Sequence, residues 1–355
     1  MSRFFSSRYE NLVPYTPGEQ PRDQQYVKLN TNESPFPPSP GVLAAVAEEA
    51  GKLQLYSDPD STMLIRKLAA HYDVAQEQVI AVNGSDEILN FAFMAFADEQ
   101  HPLAFADITY GFYPVFAALN HIPYSVIPLW RDFTLDVNDY IGLKHTIVIA
   151  NPNAPTGLAL TRDEIERIVA SNPDSVVIID EAYVDFGAES AVPLVKKYRN
   201  LLVTQTFSKS RSMAGARLGY GIGDAELIRD LNTIRYSTNP YNVNRMSCMA
   251  GVAALEEQAY YDANCRTIQE NRAYTTEALR GLGFEVLDSS ANFIFARTDA
   301  ISGSGYYRAL KARGVLVRHF EKPRISDFVR ITIGTREQMD TLLARTKDIL
   351  KEARP

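Results

Sequence analysis

The sequence predicts an α/β protein in which a large domain, with a mostly parallel sheet between helices, is followed by a smaller C-terminal α+β domain. Three apolar, largely β-branched runs at residues 146–150, 175–180 and 201–206 are separated by turns and helix-like segments. Continuous apolar strands joined by helices are typical of a parallel sheet covered on both faces. The chain has 355 residues, more than one core usually accommodates, which favours two domains.

Helix signals between the strands support this reading. A helix is expected to begin near Ser85, because an apolar stripe follows at helical spacing, formed by Ile88, Phe91, Ala92, Ala95 and Phe96. Thr161 and Glu164 form a capping box ahead of a second helix. The proline-rich segment 34–40 is expected to be extended, because proline and the residue before it disfavour helix.

The pattern changes near residue 250. A long helix is expected over 258–282, and a last helix is expected to begin at Thr335, capped by Gln338, with Met339, Leu342, Leu343 and Ile349 inward. Short strands are expected at 284–287, 293–296, 315–318 and 328–333. The predicted organisation is an N-terminal arm (1–30), a large domain (31–249) and a small C-terminal domain (250–355).

Composition excludes several classes of function. The net charge of −7 argues against a general nucleic-acid or acidic-membrane binder. Cys248 and Cys265 match no zinc or redox spacing, so we expect packing thiols, no metal site and a reducing compartment. The N-terminus lacks the apolar stretch of a signal peptide, and the apolar segment 91–97 is too short to cross a bilayer. These features predict a cytoplasmic protein.

Candidate chemistry lies just after the predicted strands, where open α/β sheets bind ligands. Five segments stand there: 83–87 (Asn-Gly-Ser-Asp-Glu), 151–157 (Asn-Pro-Asn-Ala-Pro-Thr-Gly), 180–183 (Asp-Glu-Ala-Tyr), 206–210 (Thr-Phe-Ser-Lys-Ser) and 217–220 (Arg-Leu-Gly-Tyr). Taken singly, each has an ordinary structural explanation as a helix start, a loop, a solvated strand end or a surface residue. Their occurrence together in one sequence requires a different explanation.

In this order and spacing, the segments resemble the fold-type-I pyridoxal-phosphate (PLP) dependent aminotransferases, specifically the histidinol-phosphate aminotransferase group. The resemblance extends from about Leu29 to about Leu343, and its most specific features are the spacings around Lys209, which lies 29 residues after Asp180 and eight before Arg217. It implies a fold-type-I architecture, PLP as cofactor and a homodimer.

The resemblance also implies three catalytic roles. Lys209 would hold the cofactor as a Schiff base and then move a proton as general acid/base, since lysine alone offers a side-chain amine for an imine. Asp180 would keep the pyridine nitrogen protonated, because a facing carboxylate raises the pKa of that nitrogen. Tyr183 would donate a hydrogen bond to the phenolic oxygen of the ring.

Further cofactor contacts follow from the same resemblance. Backbone N–H groups of Gly84 and Ser85 at a helix N-terminus suit the phosphate, and Arg217 with Thr206 or Ser208 would complete its binding site. Tyr110 would stack on the ring, and Tyr56 would reach the phosphate from the neighbouring subunit. The side chains of Asp86 and Glu87 would repel a phosphate, so they must point away or pair elsewhere.

The substrate set implied is Arg330, Arg318, Tyr15 and Asn292. Arg330 would clamp a substrate carboxylate, or the phosphate of histidinol phosphate, with Arg318 and Tyr15 completing that subsite. The chain departs from the family at Ala154, which stands where many members have the asparagine that contacts the ring oxygen. Either Asn153 substitutes through a one-position shift of the loop, or Tyr183 makes that contact alone.

Other functions have less support in the sequence. The strand before Glu181 resembles the metal-binding strand of P-loop ATPases, but the sequence has no Gly-rich loop ending in Gly-Lys-Ser/Thr. A non-catalytic PLP-fold binding protein would not need Lys209. Within the family, aromatic aminotransferases and a threonine-phosphate decarboxylase share the framework. The prediction is transamination between L-histidinol phosphate and 2-oxoglutarate, a step of histidine biosynthesis.

Overall fold

A computed structural model of the chain describes residues 2–352. These residues form α-helices and β-strands in a mixed order. The helices are α1 (Pro40–Ala50), α2 (Thr62–Tyr72), α3 (Ser85–Phe96), α4 (Tyr113–Leu119), α5 (Arg162–Ser171), α6 (Ala225–Thr238), α7 (Arg245–Glu256), α8 (Gln258–Gly281), α9 (Gly303–Ala312) and α10 (Arg336–Glu352). The strands are β1 (Val27–Lys28), β2 (Val79–Val82), β3 (Leu103–Ala106), β4 (Tyr124–Ile127), β5 (Thr146–Ala150), β6 (Val177–Asp180), β7 (Leu201–Thr206), β8 (Gly219–Gly223), β9 (Glu285–Val286), β10 (Phe293–Arg297), β11 (Val315–Leu316), β12 (Arg318–His319) and β13 (Val329–Thr332).

The large sheet has the strand order β2-β8-β7-β6-β5-β3-β4. Strands β7, β6, β5, β3 and β4 are parallel, and β8 is antiparallel to both of its neighbours. Alternate residues of the central strands enter apolar cores on opposite faces: in β6, Ile179 packs in one core, whereas Ile178 packs in the other. The predicted α/β class with a mostly parallel sheet is confirmed. β5 and β7 have the predicted bounds, and β6 begins two residues later than expected.

The smaller unit is built on the four-stranded antiparallel sheet β12-β13-β10-β9. Helices α8 and α10 supply Ile268, Met339 and Leu342 to its core. The prediction of a single strand at 315–318 was wrong, because the run is divided between two sheets. Its first half, β11, pairs in parallel with β1 near the N-terminus, and β12 pairs with β13.

Two further features differ from the sequence-based predictions, namely the start of α1 and the position of the domain boundary. Pro40 is the first residue of α1 rather than part of the extended segment before it, because the first turn of a helix tolerates a missing N–H. Position 250 falls inside α7, whose Val252 and Ala254 pack in the large-domain core, whereas Cys265 of α8 packs in the small-domain core. Tyr261 of α8 still packs in the large-domain core, so we propose that the domains divide between Tyr261 and Cys265. Among the helices of residues 2–352, none is both long and apolar enough to cross a membrane.

Candidate active site

A cleft of about 1100 Å³ opens at the carboxyl ends of the parallel strands and reaches the small unit and the N-terminal segment. It gathers most of the predicted site residues in one place, and those that line it are Tyr15, Ser85, Tyr110, Asp180, Tyr183, Thr206, Ser208, Lys209, Arg217, Arg318 and Arg330. Because β6 and β7 are parallel neighbours, the residues that end or follow them meet at the same edge of the sheet.

Lys209 lies in the turn after β7, with its Nζ 5.8 Å from the centroid of the Tyr183 ring. Within residues 2–352, its amine has no hydrogen-bonding or ion-pairing partner. The adjacent Ser210 donates a hydrogen bond to the Asp185 carboxylate, which ties this turn to the segment after β6. The lysine is therefore held on a fixed turn with its amine available to a ligand of the cleft.

Asp180 ends β6, and its carboxylate is buried. The Tyr113 hydroxyl donates to Oδ2 at 2.8 Å, and the Thr204 hydroxyl lies 3.4 Å from Oδ1. Burial raises the pKa of Asp180 to about 6, against the lowering effect of the Tyr113 hydrogen bond. No cation of the described chain pairs with this carboxylate, so it fits a protonated ring nitrogen. Tyr113 was not among the sequence-predicted site residues, because no local pattern indicates that it meets a carboxylate 67 residues away.

The phosphate end of the cleft is formed around the N-terminus of α3. Gly84 has φ +82° and ψ 159°, a conformation open essentially to glycine alone. A Cβ at position 84 would lie 2.6 Å from Arg217 Nη2, and one at Gly219 would lie 2.7 Å from the Ser85 nitrogen. The Ser208 hydroxyl is buried without a hydrogen-bond partner in the described chain. A helix N-terminus, a guanidinium and an unsatisfied hydroxyl fit the phosphate of PLP.

Asp86 and Glu87, expected to repel a phosphate, are paired. Asp86 accepts a hydrogen bond from Tyr110 OH at 2.8 Å and lies 3.2 Å from Arg217 Nη2. Glu87 accepts from the Asn83 backbone N–H at 2.6 Å and is turned away from the cleft lining. Asp86 therefore fixes Tyr110 and Arg217 in place, although its charge remains within the cleft.

Tyr183 contacts a residue that the sequence did not single out. Asn32 Nδ2 donates to the Tyr183 hydroxyl oxygen at 2.9 Å, which leaves the hydroxyl proton free to be donated into the cleft. Asn32 is buried and is held in turn by Thr332 of β13, whose hydroxyl donates to Asn32 Oδ1. Local sequence contains no signal for this contact, because the two residues belong to different parts of the fold.

Two arginines define the opposite end of the cleft. Arg330 is stacked near the rings of Phe293 and Phe320, and its Nε is buried without a hydrogen-bond acceptor in residues 2–352. In the described part of the chain, Arg318 donates only to the Thr16 and Pro17 carbonyls of the arm, at 3.2 Å each. Neither guanidinium has an acidic partner in the described structure. Unpaired guanidinium groups facing a cleft suit an anionic ligand.

The N-terminal arm closes this end. Tyr15 lines the cleft and stacks on Phe112, with ring centroids 4.1 Å apart. Burial raises the pKa of Tyr15, so its hydroxyl stays protonated. The arm also contacts the small unit, where Glu19 pairs with Lys311. It therefore crosses from one domain to the other at the entrance of the arginine end.

Four predicted site residues do not line the cleft. Gly84 lies against Arg217, whose Nη2 would be 2.6 Å from a Cβ added to the glycine. Asn153 faces a separate cavity and donates to the Ile108 carbonyl at 2.9 Å, while the neighbouring Ala154 lines the cleft. Asn292 is fully buried and donates to the Asn32 carbonyl at 3.0 Å. Tyr56 is 80% exposed and stacks on Tyr241 at 4.5 Å. The loop shift that would bring Asn153 into the cleft is not present.

Comparison with known proteins agrees with this geometry. The model of the family "Aminotransferase class I and II" matches residues 24–345. The chain is 50% identical over 350 residues to histidinol-phosphate aminotransferase 1 of Bradyrhizobium diazoefficiens, covering 99% of this chain and 100% of that protein. It is 48% identical to the histidinol-phosphate aminotransferase of Brachyspira hyodysenteriae, covering 99% and 100%.

A solved structure supports the fold. Histidinol-phosphate aminotransferase from Sinorhizobium meliloti, in complex with pyridoxal-5'-phosphate, superposes with a TM-score of 0.88 at 22% identity, covering 99% of this chain and 100% of that one. The fold-type-I architecture is thereby confirmed. The match of the family model to nearly the whole sequence, with a lysine, a buried carboxylate and a phosphate site in one cleft, shows that this chain belongs to the aminotransferase class I and II family and is a PLP-dependent aminotransferase.

Proposed function

We propose that this enzyme transfers the amino group between L-histidinol phosphate and 2-oxoglutarate, and that it works as a cytoplasmic homodimer. The observation that carries the substrate proposal is the pair Arg318 and Arg330, which face the cleft that holds Lys209 and have no acidic partner in the described residues. The names of the relatives at about half identity support the same substrate.

The residues of the cleft divide into groups that would hold the cofactor at defined points. The α3 N-terminus, Arg217 and Ser208 would bind its phosphate, and Asp180 would face its ring nitrogen. Tyr183 would donate its free hydroxyl proton to the phenolic oxygen of the ring, and Tyr110 would lie against the ring face. When bound, PLP supplies an electron-withdrawing ring that stabilises negative charge at the substrate Cα.

The protein's own contribution to the reaction is proton transfer and positioning. Lys209 Nζ would hold the cofactor until the substrate amine replaces it, and the freed amine would then take the proton from the substrate Cα as general base. Asp180 keeps the ring nitrogen protonated throughout, since a buried carboxylate beside a cation strongly favours the charged pair. Arg330 and Arg318 orient the substrate by its anionic end.

Both substrates can use the same arginines. Histidinol phosphate has a phosphate and no carboxylate, whereas 2-oxoglutarate carries two carboxylates. A guanidinium binds either group with two parallel hydrogen bonds, so one arginine end serves both half-reactions. Tyr15, protonated and adjacent, would add a hydroxyl donor to the same anion.

A single-turnover experiment tests the substrate. The PLP-loaded enzyme is mixed with L-histidinol phosphate without acceptor, and the visible absorption of the bound cofactor is followed. Loss of the yellow colour, and its return on adding 2-oxoglutarate, is the expected result. The proposal is wrong if histidinol phosphate leaves the spectrum unchanged while phenylalanine or threonine phosphate reacts, which would indicate an aromatic aminotransferase or a decarboxylase instead.

The homodimer proposal rests on Tyr56 and the apolar surface around it. Large apolar side chains on α1, on α2, on the segment joining them and at the end of α6 are exposed: Leu43, Leu53, Leu55, Met63, Tyr236 and Tyr241. Several large apolar side chains exposed on neighbouring segments are typical of a subunit interface. Burial of this surface by a second copy would bring Tyr56 to the partner's phosphate site.

The two buried free thiols, Cys248 and Cys265, are compatible with the reducing cytoplasm.

Hybrid dimers test the shared site. Lys209→Ala and Tyr56→Ala chains are each assayed alone and then after dissociation and mixing, at limiting PLP. If Tyr56 acts in the partner's site, a hybrid contains one intact site, and activity returns to roughly a quarter of the wild-type level. No recovery in proven hybrids would show that Tyr56 does not act across the interface.

A further inference from the structure

We propose that Tyr113 is a positioning residue for Asp180, holding the carboxylate in the orientation that meets the ring nitrogen of the cofactor. This inference rests on the proposed placement of the cofactor in the cleft. Tyr113 does not line the cleft and lies behind Asp180, at the first residue of α4. It therefore acts through the aspartate and does not touch the reacting atoms.

The hydrogen bond between them is the principal contact of the carboxylate. Tyr113 OH donates to Asp180 Oδ2 at 2.8 Å, while the Thr204 hydroxyl lies 3.4 Å from Oδ1, at the limit of hydrogen bonding. Oδ2 is thus held by the shorter contact, and Oδ1, which has the longer one, is the oxygen that would approach the ring nitrogen. A hydrogen bond to an ionised acceptor stabilises the charged form, and among the contacts of Asp180 this one lowers its pKa most.

Tyr113 itself is rigid and always a donor. Its side chain is fully buried, and its ring packs between Phe93 and Phe105 with centroid distances of 6.3 and 5.8 Å. Burial and the nearby Asp180 charge raise the pKa of Tyr113 well above its usual value. The hydroxyl therefore keeps its proton over the whole working pH range, and the ring that carries it lies within an aromatic core.

The consequence concerns one atom of the cofactor. With Tyr113 present, a single oriented and ionised carboxylate meets the ring nitrogen. Without it, the effect of burial on the Asp180 pKa is offset less, so the carboxylate binds a proton more readily, and only the weaker contacts with Thr204 and Ala182 orient it. The energetic link between Asp180 and a protonated nitrogen should weaken, whereas contacts to the phosphate and phenolic oxygen should not change.

The experiment compares two cofactors in the full-length protein. Equilibrium dissociation constants are measured by titrating the cofactor-free enzyme with PLP and with the carbocyclic analogue in which the ring nitrogen is replaced by C–H. The wild type should prefer PLP. Tyr113→Phe should lower that preference by about tenfold, the loss of roughly one hydrogen bond to a charged group, with little change in the affinity for the analogue.

A matched control separates positioning from a general loss of packing. Tyr306→Phe removes a hydroxyl that is equally buried and makes one hydrogen bond, to Thr346 in the small unit. It should leave the PLP-to-analogue ratio unchanged. If Tyr113→Phe does not accumulate folded, Tyr113→Met removes the hydroxyl while an unbranched side chain fills the space.

The outcomes are distinct. A wild-type protein that binds both cofactors equally would overturn the proposed role of Asp180 and hence the cofactor placement. A wild type that prefers PLP, with a Tyr113→Phe protein that keeps the same preference, would overturn the role of Tyr113 alone. Equal weakening of both cofactors in Tyr113→Phe would show a purely structural residue and would also refute the inference.

Discussion

Replacing Gly84 with alanine should damage the phosphate site and the stability of the fold by two separable routes. The backbone of Gly84, at φ +82° and ψ 159°, lies in a region that other residues occupy at a cost of about 1–3 kcal/mol. This strain lowers the free energy of unfolding whether or not a cofactor is bound.

The second route is steric and acts on the cofactor. The added Cβ would lie 3.1 Å from Arg217 Cζ and 2.6 Å from its Nη2, the second distance being shorter than real Cβ contacts allow. The guanidinium must move away from the α3 N-terminus, so at least one charge-assisted hydrogen bond to the phosphate is lost. Such a bond contributes about 1.5–3 kcal/mol, and PLP should therefore bind roughly ten- to a hundredfold more weakly.

Two measurements separate these routes. Urea unfolding of the cofactor-free protein reports the strain, and titration with PLP reports the displacement of Arg217. Gly283→Ala is the matched control, because Gly283 has φ +89°, lies outside the cleft lining and has no heavy atom within 4 Å of the position that a Cβ would occupy. It should lose stability and keep its affinity. A folded Gly84→Ala protein with wild-type PLP affinity, or an equal loss of affinity in Gly283→Ala, would refute the reasoning.

Three other perturbations have defined outcomes. Lys209→Ala should bind PLP without being covalently labelled on borohydride reduction, detected by mass spectrometry; labelling of the variant would contradict the role of Lys209. Arg330→Lys should raise KM for the phosphorylated substrate at least about tenfold and leave PLP affinity unchanged. An ammonium can neither stack on the Phe320 ring as a planar group nor form two parallel hydrogen bonds to the anion. Burial raises the pKa of Glu181 to about 7, so the folded protein binds a proton that the unfolded chain releases, and stability should fall as pH rises from about 4.5 to about 7. Glu181→Gln should remove up to about 3 kcal/mol of this change in the free energy of unfolding between pH 4.5 and 7. An unchanged pH dependence would show that Glu181 titrates normally.

Local sequence predicted the central elements of the fold well. The apolar runs that became β5 and β7 have the bounds that the sequence indicates, and the Thr161–Glu164 capping box starts α5 with Glu164 accepting from the Thr161 N–H at 2.8 Å. These features depend on periodicity and on hydrogen bonds between residues close in the chain. The location of the candidate site followed from the same information, since parallel strands bring the residues at their carboxyl ends together. The roles of its residues were implied by the family resemblance.

Contacts between distant segments could not be predicted in this way. Tyr113 and Asp180 are 67 residues apart, and Asn32 and Tyr183 are 151 residues apart. The run 315–318 reads as one strand, yet it is shared between β1 and β13 because each half meets a different neighbour in space.

The sequence alone therefore predicted the α/β class, which depends on local periodicity, and its resemblance to a known family implied the cofactor lysine and the groups around it. Only the tertiary structure decided which buried hydroxyl supports Asp180, which amide supports Tyr183, and that Ala154 rather than Asn153 lines the cleft. Periodicity indicates which face of a strand or helix is buried. It does not indicate what that face meets, because strand order and domain packing are set by the whole chain.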